Sequence, residues 1–335
     1  MQKLRVAVIG LGPGAEPHAR SLLDLQDRIE VVAAVSRSEE RARAFGVRFP
    51  LPVSTDLAGT IADPSIDAVL VLTPPNAHLS VAEQCLKSGK HVLVEKPLEA
   101  SVAQGERLVS VAKSTGRTLG VVLQHRFRQG AERLHEIIGL GEIGPVISAS
   151  MQVSWWRPQS YYDEPGRGTY ARDGGGVLIT QAIHTLDLFR SLVGVASVEA
   201  AQVSTTALHR MESEDHVNAL VRLGNGAPGS IFATTAAYPG TPERIDIIGT
   251  KGNASLAGGV LSVNWLDGRT ETVDSGGGTG SGANIMDFPH DAHRALITDF
   301  ADAISDKRAP RVTGEEALEC QQLIDAILKA GRKAR

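Results

Sequence analysis

Leu4-Arg5-Val6-Ala7-Val8-Ile9-Gly10-Leu11-Gly12-Pro13-Gly14-Ala15 is the stretch whose reading decides the fold. Leu4–Ile9 is a short apolar run that stops at a glycine, which predicts a buried β-strand. The turn behind it fits G-x-G-x-x-G/A, with Gly10 and Gly12 in the first two glycine positions and Ala15 in the third. Each position has a physical task. Gly10 permits the tight turn, and Gly12 lets main chain approach a pyrophosphate. Ala15 keeps helix and strand close, and the following helix N-terminus offers N–H donors to the anion. Pro13 suits a first helical turn, where no N–H is needed. Leu11 and Gly14 complete the turn. The motif is weak alone and becomes specific only inside a strand–turn–helix unit.

Working outward, Ile29–Val35, Ala68–Leu72, His91–Val94 and Thr118–Leu123 are further short, Val-rich runs. Amphipathic segments lie between them, the clearest being Ala77–Ser88 and Ser101–Thr115, with Ser101 as N-cap. This alternation predicts a doubly wound α/β Rossmann domain with a parallel sheet over residues 1–123. From about residue 145 strand-like runs follow one another: Val146–Trp155, Ser197–Ser204, His216–Leu223, Ser230–Thr235, Arg244–Gly249, Asn253–Ala257 and Val260–Trp265. Short turns between strands predict a large, mainly antiparallel open sheet. One helix, Val177–Leu192, interrupts it, and two more follow, near His290–Ser305 and Gly314–Ala330. Residues 124–335 are therefore expected to form an α+β domain. Arg269–Ala283, rich in Gly and Ser, is expected to be a mobile loop.

A chain of 335 residues fits two domains at ~100–200 residues each. The net charge of −4 removes the electrostatic case for a nucleic-acid binder. Cys85 and Cys320 are too few and too far apart for a disulfide framework or a metal spacing, which fits a reducing cytoplasm. The apolar run Val6–Ile9 is too short for a signal peptide, and no stretch approaches the ~18 apolar residues of a membrane helix.

The end of the second strand bears on cofactor choice. An NAD site places Asp or Glu there for the ribose 2′-hydroxyl. This chain has Ser36 and Arg37, with Arg41 one turn later, and such residues suit a 2′-phosphate. NADP is expected ahead of NAD.

Two further segments stand at strand carboxyl ends, where open α/β sheets bind ligands. One is Thr73-Pro74-Pro75-Asn76-Ala77-His78 and the other Glu95-Lys96-Pro97. With Gln124-His125-Arg126-Phe127 and the run Gly174–Asp187, they give the chain a resemblance, over nearly its whole length, to the glucose–fructose oxidoreductase / inositol dehydrogenase / rhizopine-catabolism (Gfo/Idh/MocA) family. Thr73–Leu98 is its most specific stretch. The resemblance implies cofactor contacts from Gly10 to Gly14, Ser36, Arg37, Arg41, Thr73, Pro74, Asn76, His78, Glu95, Lys96 and Gln124. It places Lys96 between nicotinamide and substrate, often before a cis peptide. An ammonium there can stabilise charge on the reacting oxygen.

The family's Asp-x-x-x-His pair maps to Thr180 and His184. His184 is the candidate general base, because an imidazole titrates near working pH. Thr180 departs from the pattern and carries no charge, so the usual proton relay is weakened. Asp187 is placed to orient His184 or to support the helix end. Arg126, Tyr162, Arg167 and Thr180 complete the implied substrate side. The cluster Trp155-Trp156-Arg157 to Tyr161-Tyr162 suggests a pocket wall for a polyhydroxylated or carboxylated ligand. His290-Asp291-Ala292-His293 has the look of metal ligands but is read as a helix start facing the active-site cleft, with no metal.

The expected activity is NAD(P)-dependent hydride transfer to or from a secondary alcohol of a sugar, sugar acid or cyclitol. The alternatives are a non-catalytic dinucleotide sensor, which would have lost Lys96 or His184, and an NAD-dependent glycoside hydrolase, which would show no net turnover of added cofactor. The resemblance also implies a homodimer or homotetramer, formed through the open sheet face.

Overall fold

The computed structural model describes residues 3–274 and 289–333. Its contacts divide the chain into two units, Met1–Leu123 with His290–Glu319, and Gln124–Pro289 with Cys320–Arg335. The first boundary falls after Leu123. The segment His290–Glu319 packs with the first unit, whereas the sequence reading put it in the second.

The first unit holds strands β1 (Leu4–Ile9), β2 (Ile29–Val35), β3 (Val53–Ser54), β4 (Ala68–Val71), β5 (His91–Glu95) and β6 (Leu119–Val122). They pair in parallel in the order β3-β2-β1-β4-β5-β6. Val6–Ile9, Ala68–Val71 and Val92–Val94 are buried, which explains their unbroken apolar runs: helices cover both faces of such a sheet. The connecting helices are α1 (Glu16–Asp24), α2 (Glu39–Arg48), α3 (Leu57–Ala62), α4 (His78–Lys87) and α5 (Val102–Thr115). Ser101 caps α5 by accepting the Gln104 N–H, as its position predicts.

The second unit holds α6 (Gln129–Gly139), β7 (Val146–Ser154), α7 (Gln159–Tyr162), α8 (Tyr170–Asp173), α9 (Val177–Thr180) and α10 (Ile183–Val193). The remaining strands follow: β8 (Val195–Ser204), β9 (His216–Leu223), β10 (Pro228–Thr234), β11 (Arg244–Gly249), β12 (Gly252–Ala257), β13 (Val260–Trp265) and β14 (Thr270–Val273). Among the described residues the order is β14-β13-β12-β11-β7-β10-β9-β8, antiparallel except for β7 with β10. Period-2 alternation lays Val217, Ala219, Ile231, Met151 and Ile245 on the face that α6 and α10 cover. The opposite face carries Ser148, Ser150 and Gln152 with Leu220, Phe232 and Ile248.

Three local expectations are corrected. Val177–Leu192 is not one helix: it breaks between α9 and α10, where both Gln181 and Ala182 donate to the Val177 carbonyl. Thr270–Val273, inside the expected loop, pairs with β13 as an edge strand, and residues 275–283 of that loop lie outside the described residues. The two-residue β3 was not foreseen. The last helices are α11 (Asp291–Ser305), which packs on α1, and α12 (Gly314–Lys333), within which the division between units falls.

Candidate active site

Because the first sheet is parallel, the carboxyl ends of β1, β4 and β5 share one edge, with β4 between the other two. Gly10–Gly14, Thr73–His78 and Glu95–Pro97 therefore follow three adjacent strand ends. Gly10 has φ 105°, and a Cβ there would stand 2.6 Å from the Leu72 carbonyl oxygen, so turn and packing both require glycine. Gly12 and Gly14 differ. A Cβ at either meets no atom within 4 Å, so the fold makes no demand for glycine there. Open ground at the start of a helical segment, Pro13–Ala15 leading into α1, suits the close approach of a pyrophosphate. The residues present thus fit a dinucleotide.

At the end of β2, Ser36 is buried and its Oγ accepts the Ser38 N–H, while Arg37 and Arg41 are exposed. Asn76 and Pro74 are exposed at the β4 end, and Thr73 is half-buried. His78 is fully buried. Its ring lies between two main-chain oxygens, Nδ1 2.9 Å from Pro97 O and Nε2 2.8 Å from Thr73 O. It ties two strand-end loops together rather than presenting its ring to a ligand, as the sequence reading expected. Burial pushes its imidazole below the ordinary histidine range. The Lys96–Pro97 peptide is cis, as anticipated, and Lys96 is half-buried. The Glu95 carboxylate turns to His18: Oε1 lies 2.7 Å from His18 Nε2, and Oε2 accepts the Lys96 N–H at 2.9 Å. Glu95 was expected at the cofactor.

In the second unit His184 is buried on α10, with its ring 5.0 Å from that of His125 at an interplanar angle of 30°. Sequence reasoning quoted His125 within its motif but gave it no role. Gln124 and Arg126 are buried beside it. Arg126 was assigned to substrate, but its guanidinium grips Asp187 bidentately, Nε to Oδ2 at 2.6 Å and Nη2 to Oδ1 at 2.7 Å. Asp187, fully buried, thus pairs with an arginine.

Thr180 donates its hydroxyl to the Gly176 carbonyl at 2.6 Å, closing the single turn of α9. That turn has its own requirements. A Cβ at Gly176 would fall 1.8 Å from the Glu214 carbonyl oxygen. The Glu214 carboxylate accepts the Gly176 and Leu178 N–H groups, both at 3.2 Å, and burial pushes its pKa up. Glu214 was not singled out, because nothing local marks a residue 36 positions away from its partner.

Tyr162 is buried with its hydroxyl 2.7 Å from Thr235 Oγ1, and burial raises its phenol well above the usual range. The neighbouring Tyr161 holds the more open position. Its hydroxyl accepts from Arg167 Nη1 at 2.9 Å and from Gln181 Nε2 at 3.3 Å. The Arg167 guanidinium lies 4.5 Å from the Tyr161 ring centroid, and that of Arg157 lies 5.8 Å away. This is a cation–π group that no single residue announced.

The His290–His293 run separates. His290 pairs with Asp24 at 2.8 Å, and His293 meets the His18 ring edge-on at 5.1 Å. His18, Glu95 and His293 bring ligand-type atoms within 4.8 Å of one another. Both cysteines are free and buried. Among the described residues no helix is long and apolar enough to cross a membrane.

A glycine turn that is open at Gly12 and Gly14, at the carboxyl end of a parallel sheet, fits a dinucleotide-binding domain. Residues 4–123 match the oxidoreductase family with an NAD-binding Rossmann fold, and residues 131–255 match the GFO/IDH/MocA C-terminal domain. The chain belongs to the Gfo/Idh/MocA oxidoreductase family. It is 27% identical to the myo-inositol 2-dehydrogenase of Thermotoga maritima, covering 93% of this chain and 92% of that one. It is 26% identical to the NAD(+)-dependent scyllo-inositol 2-dehydrogenase of Bacillus subtilis, over 94% and 90%. Among solved structures, the WlbA dehydrogenase of Bordetella pertussis, in complex with NADH and UDP-GlcNAcA, is 28% identical with a TM-score of 0.84, covering 100% of this chain and 98% of that one.

Proposed function

We propose that this protein is an NAD(P)-dependent dehydrogenase acting on a secondary alcohol of a sugar, sugar acid or cyclitol. The observation that carries the reading is the shared carboxyl end of β1, β4 and β5, where an open glycine turn follows β1 and Lys96 follows β5, two strands away. The names of the relatives supply the class of alcohol. When bound, the nicotinamide accepts or returns a hydride. Gly12 and Gly14 leave room for the pyrophosphate. Lys96 donates a hydrogen bond to the reacting oxygen and steadies its charge. His184 takes the hydroxyl proton in the oxidative direction. Arg167 and Tyr161 offer a charged and a hydroxyl contact to a polyhydroxylated ligand. The working form is a homodimer or homotetramer, in which a second copy covers Leu220, Phe232 and Ile248 on the outer sheet face. The test is a screen of the purified protein with NADP and NAD against polyols, sugars and sugar acids, read by reduced-nicotinamide absorbance. No turnover with any of them would overturn the reading.

The glycine turn is tested by Gly12→Val. Its side chain would enter open space, so folding is expected to persist while dinucleotide affinity falls at least ~30-fold, about 2 kcal/mol. A titration in which the variant binds as tightly as the parent would place the cofactor elsewhere.

The relatives' names speak for NAD, and the Ser36–Arg37 end of β2 speaks for NADP. Arg37 is exposed at the strand end and suits a 2′-phosphate. Arg37→Ala is expected to weaken NADP more than NAD, by roughly 1.5–3 kcal/mol for a charge-assisted contact. Equal losses for the two cofactors, or a parent that prefers NAD, count against NADP.

A further inference from the structure

Three segments distant in sequence converge behind Lys96. His18 comes from α1, Glu95 ends β5 and His293 comes from the first turn of α11. The His18 side chain is fully buried, and its Nδ1 has no hydrogen-bond partner among the described residues. A carboxylate oxygen can only accept, so Nε2 donates to Glu95 Oε1, at 2.7 Å. The other carboxylate oxygen accepts the Lys96 main-chain N–H at 2.9 Å. At the next residue, the His78 ring lies 2.9 Å from Pro97 O.

We propose that His18 and Glu95 are positioning residues: the dyad anchors the Lys96 main chain at the strand end and holds an anion at the residue next to the lysine. The inference rests on the functional reading of Lys96 and adds two residues to it. Burial pushes the Glu95 carboxyl up, but the His18 hydrogen bond and the nearby charges of His18, Lys96 and His293 hold it below the ordinary range, so it stays an anion. Besides those groups, His78 and Glu99 face this corner from α4 and from the chain after Pro97. The attraction between Glu95 and Lys96 is mutual. An anion that Lys96 helps to keep ionised helps in turn to keep Lys96 protonated. A hydrogen-bond donor to an alkoxide must carry that proton, so the dyad supports the chemistry without touching substrate.

The decisive variant is Glu95→Gln, which keeps the shape and removes the charge. It is expected to lower kcat ~10–100-fold, the usual cost of losing a partner behind an active group, with KM and dinucleotide Kd within about threefold of the parent. In cofactor-free protein carrying 13C-dimethylated lysines, the Lys96 signal, identified by its loss in Lys96→Arg, is expected to titrate ~0.5–1 pH unit lower. His18→Leu is expected to lose kcat similarly, and His18→Gln, whose amide N–H replaces Nε2–H, to recover most of it. A folded Glu95→Gln protein with parental kcat and an unmoved Lys96 titration overturns the proposal. If that variant does not fold, parental kcat in His18→Leu overturns it. Full activity in Lys96→Ala would instead remove the catalytic reading of Lys96, and the lysine titration would still decide whether Glu95 governs its charge.

Discussion

Lys96→Ala and His184→Ala are each expected to lower kcat by ~10²–10⁴-fold, the usual range for a positioned proton-handling group. Dinucleotide binding should survive both, because in the proposed site the pyrophosphate takes the open ground at Gly12 and Gly14, which neither side chain provides. Lys96 is expected to act through charge on the reacting oxygen, and His184 through removal of its proton. If the two serve one proton transfer, the double variant should be little worse than the worse single variant, since residues acting as a unit are not additive. Steady-state kinetics beside a cofactor titration measures this. Multiplicative losses in the double variant would separate the two roles. Full activity in His184→Ala would move the base to another group, with His125, whose ring lies 5.0 Å from that of His184, the first to examine.

The second large effect is on stability. Asp187 is fully buried, and the side chain of its bidentate partner Arg126 is 9% exposed. Two charges brought this far out of water are tolerable only together. Asp187→Ala is expected to cost ~3–5 kcal/mol, as removal of one partner from a buried ion pair usually does. That is a large part of the ~5–15 kcal/mol that holds a typical domain folded. A double variant, Arg126→Met with Asp187→Leu, should regain much of the loss, because no lone charge is then left inside. Denaturant unfolding of the three variants checks this. A single variant as stable as the parent would mean that water reaches the pair.

The Asp187 pairing shows where reading the sequence stops. From the chain alone, Asp187 is three residues from His184 and Arg126 belongs to a substrate-side motif. The two meet 61 positions apart, and their pairing gives each a different task. Glu95 and His18, 77 positions apart, show the same thing at the end of β5. Both pairs leave ordinary local signals: an acidic residue on a helix, and a histidine in an apolar helical face.

Much of the rest was legible. The strands of the first sheet are marked by unbroken apolar runs, because burial on both faces is a local, repeated demand. The strands from β7 to β13 show alternation for the complementary reason, that one face meets helices and the other does not. The Gly10 turn and the Ser101 cap were readable because each task is set by neighbours a few residues away. The two-residue β3 and the edge strand β14 were not, since so short a strand exists only through its partner. The break between α9 and α10, at Gln181 and Ala182, is marked by no glycine or proline at that point. The sequence by itself determined most of the strands and helices and the boundary after Leu123. Only the tertiary structure decided which charged groups neutralise one another, on which side α11 packs and which way the Glu95 carboxylate turns. These rest on contacts between residues far apart in the chain, and such contacts leave no period or spacing to read.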